Sequence, residues 1–279
     1  MAIKMIITDI DGTLINSDRK IPQINIEAIK KAQDLGIIVT VATGRVAASL
    51  NYFANEININ CKYVIGGNGG SVLNFKTNEY LLNEISTLED TRKVVKFLKE
   101  YKRPFYFAPE EENIAYLSSQ QQIDRDTFMF KDFKGEVKVF DYTKDILMRK
   151  VVIDCESEEE HNDVRRFVST IPTLRAEVSG YGYIEILPKN VNKWNGIMHT
   201  LTALKLNDNI HIDPEEVLCF GDQMNDYEMI KESSHGYAMK NGNKDLLKVA
   251  NGVTKYTNDE GGVGRHILEM IEKGELKNV

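Results

Sequence analysis

The sequence predicts an α/β protein with a parallel sheet, interrupted by an inserted α+β unit. At both ends of the chain, short apolar segments rich in β-branched residues alternate with stretches of helical periodicity. Between about residues 82 and 188 this alternation stops, and several strand-like segments follow one another. The 279 residues leave room for two domains. We therefore predict a parallel-sheet domain formed by residues 1–82 and 190–279, with a second domain at 83–189.

The N-terminal part is predicted to form the first half of the parallel sheet. Pro22 suits the start of its first helix, and Gly36 suits the end. Right-handed crossovers between successive strands make such a sheet parallel. In chain order, the predicted elements are strand 3–8, helix 24–35, strand 37–42, helix 46–55, strand 62–66 and the flexible glycine-rich loop 66–70.

The inserted unit and the C-terminal part complete the predicted fold. Residues 175–178 and 183–187 look like an antiparallel pair; one larger mixed sheet is the alternative to a separate domain. The insertion otherwise contains helix 88–101, strands 105–108, 114–117, 137–140 and 147–153, and helix 158–170. The C-terminal part contains helix 194–206, strand 216–220, helix 225–233, strand 236–239, helix 244–250, strand 252–254 and helix 264–272.

The composition excludes several classes of protein. A formal charge of −7 gives no support for binding nucleic acid. Three scattered cysteines are too few for a disulfide framework or a zinc cluster. No apolar run approaches the length of about 20 residues that spans a bilayer, and the first strand leaves no room for a signal peptide. A cytoplasmic protein without membrane contact is expected, and the oligomeric state is not predicted.

Two carboxylates, Asp9 and Asp11, stand where the first strand should end. Their spacing in extended chain places both side chains on one side, so they can converge on one ligand. Gly12 then allows a sharp turn beside that ligand. Because two close carboxylates repel, they need a cation, a shared proton or solvent. The motif favours a metal and phosphate site over an Asp-rich turn.

Three further sites carry suitable chemistry. Thr43 and Gly44 follow the second strand at a predicted helix start, where a hydroxyl and free N–H groups suit a phosphoryl oxygen, although Thr43 is also a plausible N-cap. A lysine before the helix at 194 would neutralise phosphate and carboxylates, and Lys193 and Lys189 are the two candidates. Asp222 and Asp226 follow another strand and suit Mg²⁺, which accepts few carboxylates and retains water.

In this order, the four motifs resemble those of the haloacid dehalogenase-like (HAD) phosphohydrolases. The first is Asp-x-Asp-Gly-Thr-Leu, and Gly-Asp-x-x-Asn-Asp-x-x-Met, at residues 221–229, is typical of the Cof-like branch, subfamily IIB. The resemblance implies a Rossmann-like parallel-sheet core with an inserted α+β C2-type cap. Two departures are Lys240-Asn241-Gly242, where Gly-Asn-Ala is usual, and the small changes in Glu260-Gly261-Gly262-Val263-Gly264. Neither removes a catalytic group.

The resemblance also assigns roles. It implies that Asp9 is the nucleophile and Asp11 the acid and base, with Thr43 and Lys193 completing the catalytic set. Lys193 is favoured over Lys189 because the family's third motif is usually a Lys followed closely by Gly at a helix start, and Lys193 lies nearer Gly196. Phosphate would contact the Ile10 backbone, Thr43, Gly44, Lys193 and Asn225. The expected cofactor is Mg²⁺, and its expected ligands are Asp9, Asp11, Asp222 and Asp226.

The predicted function is a magnesium-dependent phosphatase that acts on small phosphorylated metabolites through an aspartyl-phosphate. Sugar phosphates are the first expectation from the resemblance, with flavin, pyridoxal and nucleotide phosphates next. A phosphosugar mutase and a non-catalytic phosphate-binding module are the alternatives. In the cap, residues that either contact the substrate or simply pack are Tyr106, Phe107, Glu111, Tyr181 and Tyr183.

Overall fold

The protein, seen in a computed structural model, forms two compact units that interleave along the chain. Unit 1 is Met1–Leu82 with Asn192–Val279, and unit 2 is Asn83–Val191. The structure describes residues 2–46, 50, 57–111, 113–126, 133, 135–179 and 182–278. Most of the predicted helix 46–55 lies outside these residues.

Unit 1 is built on a five-stranded sheet whose strands all run parallel. Its strands are β1 (Met5–Thr8), β2 (Ile38–Val41), β12 (Val217–Gly221), β13 (His235–Ala238) and β14 (Gly252–Val253). The order across the sheet is β14-β13-β12-β1-β2. The apolar side chains of β1 and β12 are wholly buried, as expected of central strands covered on both faces. The predicted α/β fold with a parallel sheet is confirmed.

Helices connect these strands and shield the sheet. In unit 1 they are α1 (Gln23–Asp34), α5 (Lys193–Asp208), α6 (Tyr227–Glu232), α7 (Lys244–Val249) and α8 (Gly262–Glu272), and helices α2 to α4 belong to unit 2. Buried side chains of α1, α5 and α8, such as Ile29, Ile197 and Ile267, join the strands in one apolar core. The periodicity predicted for these helices therefore reflects burial.

The third predicted strand has a different pairing from the one expected. β3 (Tyr63–Gly66) forms a separate three-stranded sheet with β4 (Ser71–Asn74) and β5 (Glu79–Asn83), and its pairing with β4 is antiparallel. Among the described residues it is joined to β2 and the chain after it by an isolated parallel bridge, Ala42 to Ile65, and by the Thr40 hydroxyl, which donates to the Tyr63 carbonyl at 2.6 Å. The short return from β3 through Gly67–Gly69 explains this, since a tight turn can only link antiparallel strands.

Unit 2 has its own sheet and its own core. Its six strands are ordered β10-β11-β9-β6-β7-β8, separate from the sheets of unit 1, so a single larger mixed sheet is not formed by the described residues. The predicted pair around residue 180 is the antiparallel pair β10–β11. The strands are β6 (Phe105–Pro109), β7 (Ile114–Leu117), β8 (Glu136–Val139), β9 (Met148–Asp154), β10 (Leu174–Val178) and β11 (Tyr183–Pro188). The helices are α2 (Leu88–Tyr101), α3 (Gln120–Arg125) and α4 (Glu158–Val168).

The α2 and α4 helices pack on one face of this sheet. Val94, Leu98 and Val164 meet strand residues such as Val151 in a second apolar core. Phe107 is fully buried in that core, so it packs and does not face a ligand; Tyr106 and Tyr183 are half-buried, Glu111 is exposed, and Tyr181 lies outside the described residues. No helix in the described part of the chain is long and apolar enough to cross a bilayer.

Candidate active site

The carboxyl ends of three neighbouring strands bring the predicted site residues together. β1 lies between β2 and β12, with Thr8 opposite Val41 on one side and Phe220 on the other. Asp9, Thr43 and Asp222 follow these strands directly or within two residues. This edge is where parallel sheets bind ligands.

Asp9 is held rigidly at the end of β1. Its backbone N–H donates to the carbonyl of Phe220 at 2.9 Å, which extends the pairing with β12. Its side chain is buried, and Oδ1 accepts a hydrogen bond of 2.6 Å from Lys193 Nζ. Within the described part of the chain, Oδ2 has no hydrogen-bond donor. One carboxylate oxygen is thus fixed, and the other remains available.

Lys193 is the cation of the site. It opens α5, whose N-cap Asn192 accepts from the backbone N–H of Asn195, so the cap sets where the helix starts. The side chain is fully buried, and Nζ also donates to Asp226 Oδ1 at 2.5 Å. Its rival Lys189 is exposed and belongs to unit 2. The structure therefore brings Lys193, and not Lys189, to Asp9.

Asp222 and Asp226 are fixed by the turn that follows β12. Asp226 Oδ2 accepts from the backbone N–H groups of Asp222 and Gln223, at 2.8 and 3.0 Å. Asp222 Oδ1 accepts from the Thr13 hydroxyl at 2.9 Å. Asp226 consequently stabilises the turn and also pairs with Lys193. Asp222 Oδ2 accepts a longer hydrogen bond, 3.3 Å, from Gln223 Nε2.

The three buried aspartates carry more negative charge than Lys193 neutralises. Burial raises the pKa of Asp9 well above its ordinary value, against the opposing effect of Lys193. Burial and the nearby Asp226 raise the pKa of Asp222 to about 7. Burial alone would lower the pKa of Lys193, but Asp226 and Asp9 outweigh it, so that the pKa is raised. The cluster thus favours a further positive charge.

The donor set fits a hard divalent cation. Asp9, Asp222 and Asp226 each offer an oxygen within 4.8 Å of the others. Mg²⁺ and Ca²⁺ prefer oxygen ligands, carboxylates among them. Gly12 makes room for this group, since a Cβ there would lie 2.4 Å from Asp222 Oδ2. A metal can therefore be held by this cluster.

Asp11 lies apart from the three buried aspartates. Its side chain is 53% exposed and forms a two-bond ion pair with Arg45, at 2.7 and 2.6 Å. The two residues follow neighbouring strands, and this proximity allows the pair. Asp11 was predicted as an acid, base and metal ligand, but its carboxylate is turned to the guanidinium of Arg45.

The predicted phosphate-binding residues gather around an asparagine that sequence reasoning missed. Asn68 accepts from Asn225 Nδ2 at 3.2 Å, and its backbone N–H donates to the carbonyl of Thr43 at 2.9 Å. A Cβ on Gly44 would lie 2.8 Å from Asn68 Oδ1, so glycine permits the close approach. Thr43 is buried, and its Oγ1 accepts from the Arg45 N–H at 3.3 Å. The two glycines on each side of Asn68 were the feature of the sequence that could have indicated its role in the site.

The turn after β1 is stabilised by hydrogen bonds that the sequence motif did not predict. The Ile10 carbonyl accepts from the N–H groups of Leu14 and Ile15, both at 3.0 Å, and so fixes the turn from within. Asn241 Nδ2 donates to the Gly12 carbonyl at 2.8 Å. Lys240, the departure from the usual motif, is exposed, and its N–H donates to Thr254 Oγ1. The replacement of the usual Gly by Lys240 therefore leaves the hydrogen bond from Asn241 to the Gly12 carbonyl in place.

Comparisons with known proteins agree with this geometry. The model of the haloacid dehalogenase-like hydrolase family matches residues 6–267. The chain belongs to this family. The predicted superfamily membership is confirmed, and with it an enzyme of the hydrolase class.

Individual relatives are similar along their whole length. M6_Spy0533 of Streptococcus pyogenes serotype M6, provisionally named a phosphatase, is 29% identical over 94% of this chain and 96% of its own. A phosphoglycolate phosphatase of Methanococcoides burtonii is 27% identical over 98% and 96%. The solved HAD subclass IIB sugar phosphatase BT4131 shares the fold, with a TM-score of 0.79 at 23% identity over 98% and 100%. The predicted class of phosphoric monoester hydrolases agrees with these names.

Proposed function

We propose that the chain is a magnesium-dependent phosphatase that hydrolyses phosphomonoesters of small metabolites. The observation that carries the proposal is Asp9, a buried carboxylate with Oδ1 fixed by Lys193 and Oδ2 without a donor among the described residues. Such an oxygen can attack phosphorus and form an aspartyl-phosphate. A neighbouring ammonium favours the ionised nucleophile against the effect of burial on its pKa, and offsets charge on the phosphoryl group.

The reaction needs one nucleophile and one acid–base group. Asp9 Oδ2 would attack phosphorus while the ester P–O bond breaks and the Asp11 carboxyl group protonates the leaving oxygen. Asp11 would then take a proton from the water that attacks the aspartyl-phosphate, releasing phosphate and regenerating Asp9. In this role Asp11 must exchange its ion pair with Arg45 for the substrate. Asn225, Thr43 and Gly44 would bind the phosphoryl oxygens.

The residues proposed to hold Mg²⁺ are Asp9 and Asp222, with Asp226 in support and Asp11 as a further candidate. A bound magnesium ion would supply charge neutralisation at the phosphoryl group. Asp226 has the weaker case for direct contact, because its oxygens already accept from the Lys193 ammonium and from two backbone N–H groups. Asp222 accepts only two side-chain hydrogen bonds among the described residues, one of them as long as 3.3 Å.

Sugar phosphates are the substrate class proposed first. The proposal is supported by family membership. Of the two relatives named above, one is a phosphoglycolate phosphatase, and the other is named as a phosphatase without a substrate. Unit 2 would act as the cap that selects the organic part of the substrate and excludes bulk water. A cytoplasmic location is part of the same proposal.

The test is release of inorganic phosphate from a panel of phosphomonoesters, with magnesium and with a chelator. The panel contains hexose phosphates, phosphoglycolate, pyridoxal phosphate, flavin mononucleotide and nucleotides. We expect magnesium-dependent release that falls by about four orders of magnitude in Asp9→Asn. Asp18→Asn is the matched control, because Asp18 is exposed on the turn after β1.

The same experiment separates the alternatives. Release that persists in Asp9→Asn would contradict the nucleophile, and release in the presence of chelator would contradict the metal. If no compound is hydrolysed, conversion of one hexose phosphate isomer into another would favour a mutase. Binding of phosphate esters with neither reaction would favour a non-catalytic module.

A further inference from the structure

Unit 2 contains a groove that the proposed phosphatase chemistry does not use. The groove has a volume of about 250 Å³ and lies between α2 and the segment 142–146. All of its lining residues belong to unit 2, whereas Asp9, Lys193 and Asp222 belong to unit 1.

The charge of the groove is opposite to that of the protein. Arg92, Lys96 and Lys99 line it from α2, and Lys144 lines it from the opposite segment. Arg92, Lys96 and Lys99 lie on one face of α2, because positions i, i+4 and i+7 of a helix are neighbours. Asp145 is the one carboxylate among the lining residues, although the chain as a whole has a formal charge of −7.

Two of the four cations are available to a ligand. Arg92 is joined to Asp145 by a two-bond ion pair, and Lys144 lies 3.7 Å from Asp141. Lys96 and Lys99 are exposed, and neither forms an ion pair with any residue that the structure describes. Lys93, the next cation on the same helix, is instead engaged by Glu89 at 2.8 Å.

The groove also has an apolar lining, which packs against the core of unit 2. Val95, Tyr142 and Ile146 are partly buried and pack against the apolar core of unit 2. Tyr142 is held edge-on by Phe105 and Phe140, with ring centroids 6.3 and 5.2 Å away. The Arg92–Asp145 pair connects α2 to the segment that carries Tyr142. The apolar wall is therefore part of a rigid unit.

We propose that this groove binds a small organic phosphate whose ring packs on the Val95–Tyr142–Ile146 wall. Lys96 and Lys99 would bind the phosphate as mobile point charges, which suits an ammonium on a long side chain. An aromatic and aliphatic wall beside a few convergent cations is the usual composition of a small-ligand site. The volume fits a nucleoside monophosphate or a smaller ester.

The test measures binding of adenosine monophosphate to the full chain, with excess chelator to prevent hydrolysis. Amide chemical shifts in two-dimensional NMR locate the ligand, and saturation gives the affinity. We expect saturable shifts on residues 92–99 and 142–146, separate from any shifts around Asp9. In Lys96→Gln/Lys99→Gln the affinity of the groove should fall at least tenfold.

The matched control is Lys93→Gln/Lys102→Gln, which removes the same charge from exposed positions of α2 and its C-cap. We expect its affinity to stay within twofold of the wild type. Unchanged thermal unfolding of both double variants shows that folding is intact.

Three results would overturn the proposal. The first is saturable binding of equal affinity in Lys96→Gln/Lys99→Gln, and the second is the absence of shifts on residues 142–146. The third is inorganic phosphate binding as tightly as adenosine monophosphate, which would indicate an adventitious ion only. Because the readout is binding in chelator, it does not depend on whether the chain is a phosphatase.

Discussion

At the scale of single residues, Lys193 makes the carboxylate cluster compatible with a folded core. Its ammonium lies between Asp9 and Asp226, at 2.6 and 2.5 Å, and no part of the side chain is exposed. Burying charged groups is costly unless they are paired, and one cation cannot neutralise three carboxylates. The raised pKa values of Asp9 and Asp222 express this imbalance.

Replacing Lys193 by methionine removes the cation but keeps most of the side-chain volume. We expect Lys193→Met to lower the free energy of unfolding by about 3–5 kcal/mol, because two buried carboxylates lose their partner. Magnesium should restore part of that loss. Turnover should fall by about a hundredfold to a thousandfold.

The matched control for this experiment is Lys189→Met, at the exposed rival position. Its unfolding midpoint in denaturant and its turnover should both equal those of the wild type. If Lys193→Met unfolds at the wild-type denaturant concentration without metal, the cation is not what stabilises the cluster.

Gly12 has a φ of +79°, and its missing Cβ leaves room for Asp222. Gly12→Ala should destabilise the fold by more than the cost of about 1–2 kcal/mol for a left-handed alanine, and should weaken magnesium binding because Asp222 must move. The control is Gly274→Ala, at φ +70° with no atom within 4 Å of the added Cβ.

Calorimetric titration of magnesium into both variants checks this prediction. Gly274→Ala should lower the free energy of unfolding by the cost of the left-handed backbone alone, and it should bind magnesium with wild-type affinity. Equal affinities in the two variants would mean that Gly12 is needed only for its backbone conformation.

At the scale of elements, the sequence predicted most of the parallel sheet and the groups at its edge. The apolar runs before Asp9, Thr43 and Asp222 are buried strands, apart from the half-buried Ile38, and burial on both faces explains why each reads as a continuous apolar segment. The parallel direction of these strands was accessible because right-handed crossovers connect successive strands, whereas their order across the sheet was not predicted. The meeting of Asp9, Thr43 and Asp222 at one edge follows from the parallel direction, because the carboxyl ends of parallel strands share an edge.

Contacts that join distant segments could not be predicted in the same way. The bond from Thr13 to Asp222 spans 209 positions, and the bond from Asn225 to Asn68 spans 157. Periodicity reports local burial and carries no information on such pairings. The Asp11–Arg45 pair is another example, because each residue belongs to its own motif and nothing local indicates that they meet.

The α8 helix carries a histidine that should make stability depend on pH. His266 lies between Tyr237 and Phe220, with ring centroids 4.1 and 5.6 Å away, and its Nε2 is buried with no hydrogen-bond partner in the part of the chain that the structure describes. Burial lowers its pKa below the ordinary value of 6.5. The unfolded chain therefore binds a proton first, and stability is lost as the pH falls below about 6.5.

His266→Phe keeps a ring in this position and removes the titration. We expect the loss of unfolding free energy between pH 7 and pH 5, measured in denaturant, to be smaller in this variant than in the wild type. His199→Gln, at an exposed position of α5, should retain the wild-type dependence. An identical slope in His266→Phe would show that other groups cause the acid sensitivity.

At the scale of the whole molecule, the candidate active site and the proposed ligand groove lie in two different units, each packed around its own core. Unit 1 contains the three clustered aspartates, and unit 2 contains the groove between α2 and segment 142–146. Each unit has its own apolar core, which is the usual requirement for folding alone. The insertion is continuous in sequence, whereas unit 1 is assembled from both ends of the chain.

This division predicts that magnesium stabilises only one unit. Trp194, the single tryptophan, adjoins Lys193 in unit 1, so its fluorescence reports the unfolding of that unit. Magnesium at a hundredfold excess over its dissociation constant should add about 2.7 kcal/mol there and raise the midpoint of the fluorescence transition. The fragment 83–191 should unfold cooperatively by circular dichroism at a midpoint that magnesium does not change.

Asp222→Asn in the full chain is the control, because it removes one proposed ligand and should abolish most of the shift in Trp194 fluorescence. The shift should also be larger at pH 8 than at pH 6, since the pKa of Asp222 is raised to about 7 and protons compete with the metal below that value. A fragment that fails to fold would show that unit 2 needs unit 1 for stability. A fragment that magnesium stabilises as much as the full chain would place the metal outside the aspartate cluster.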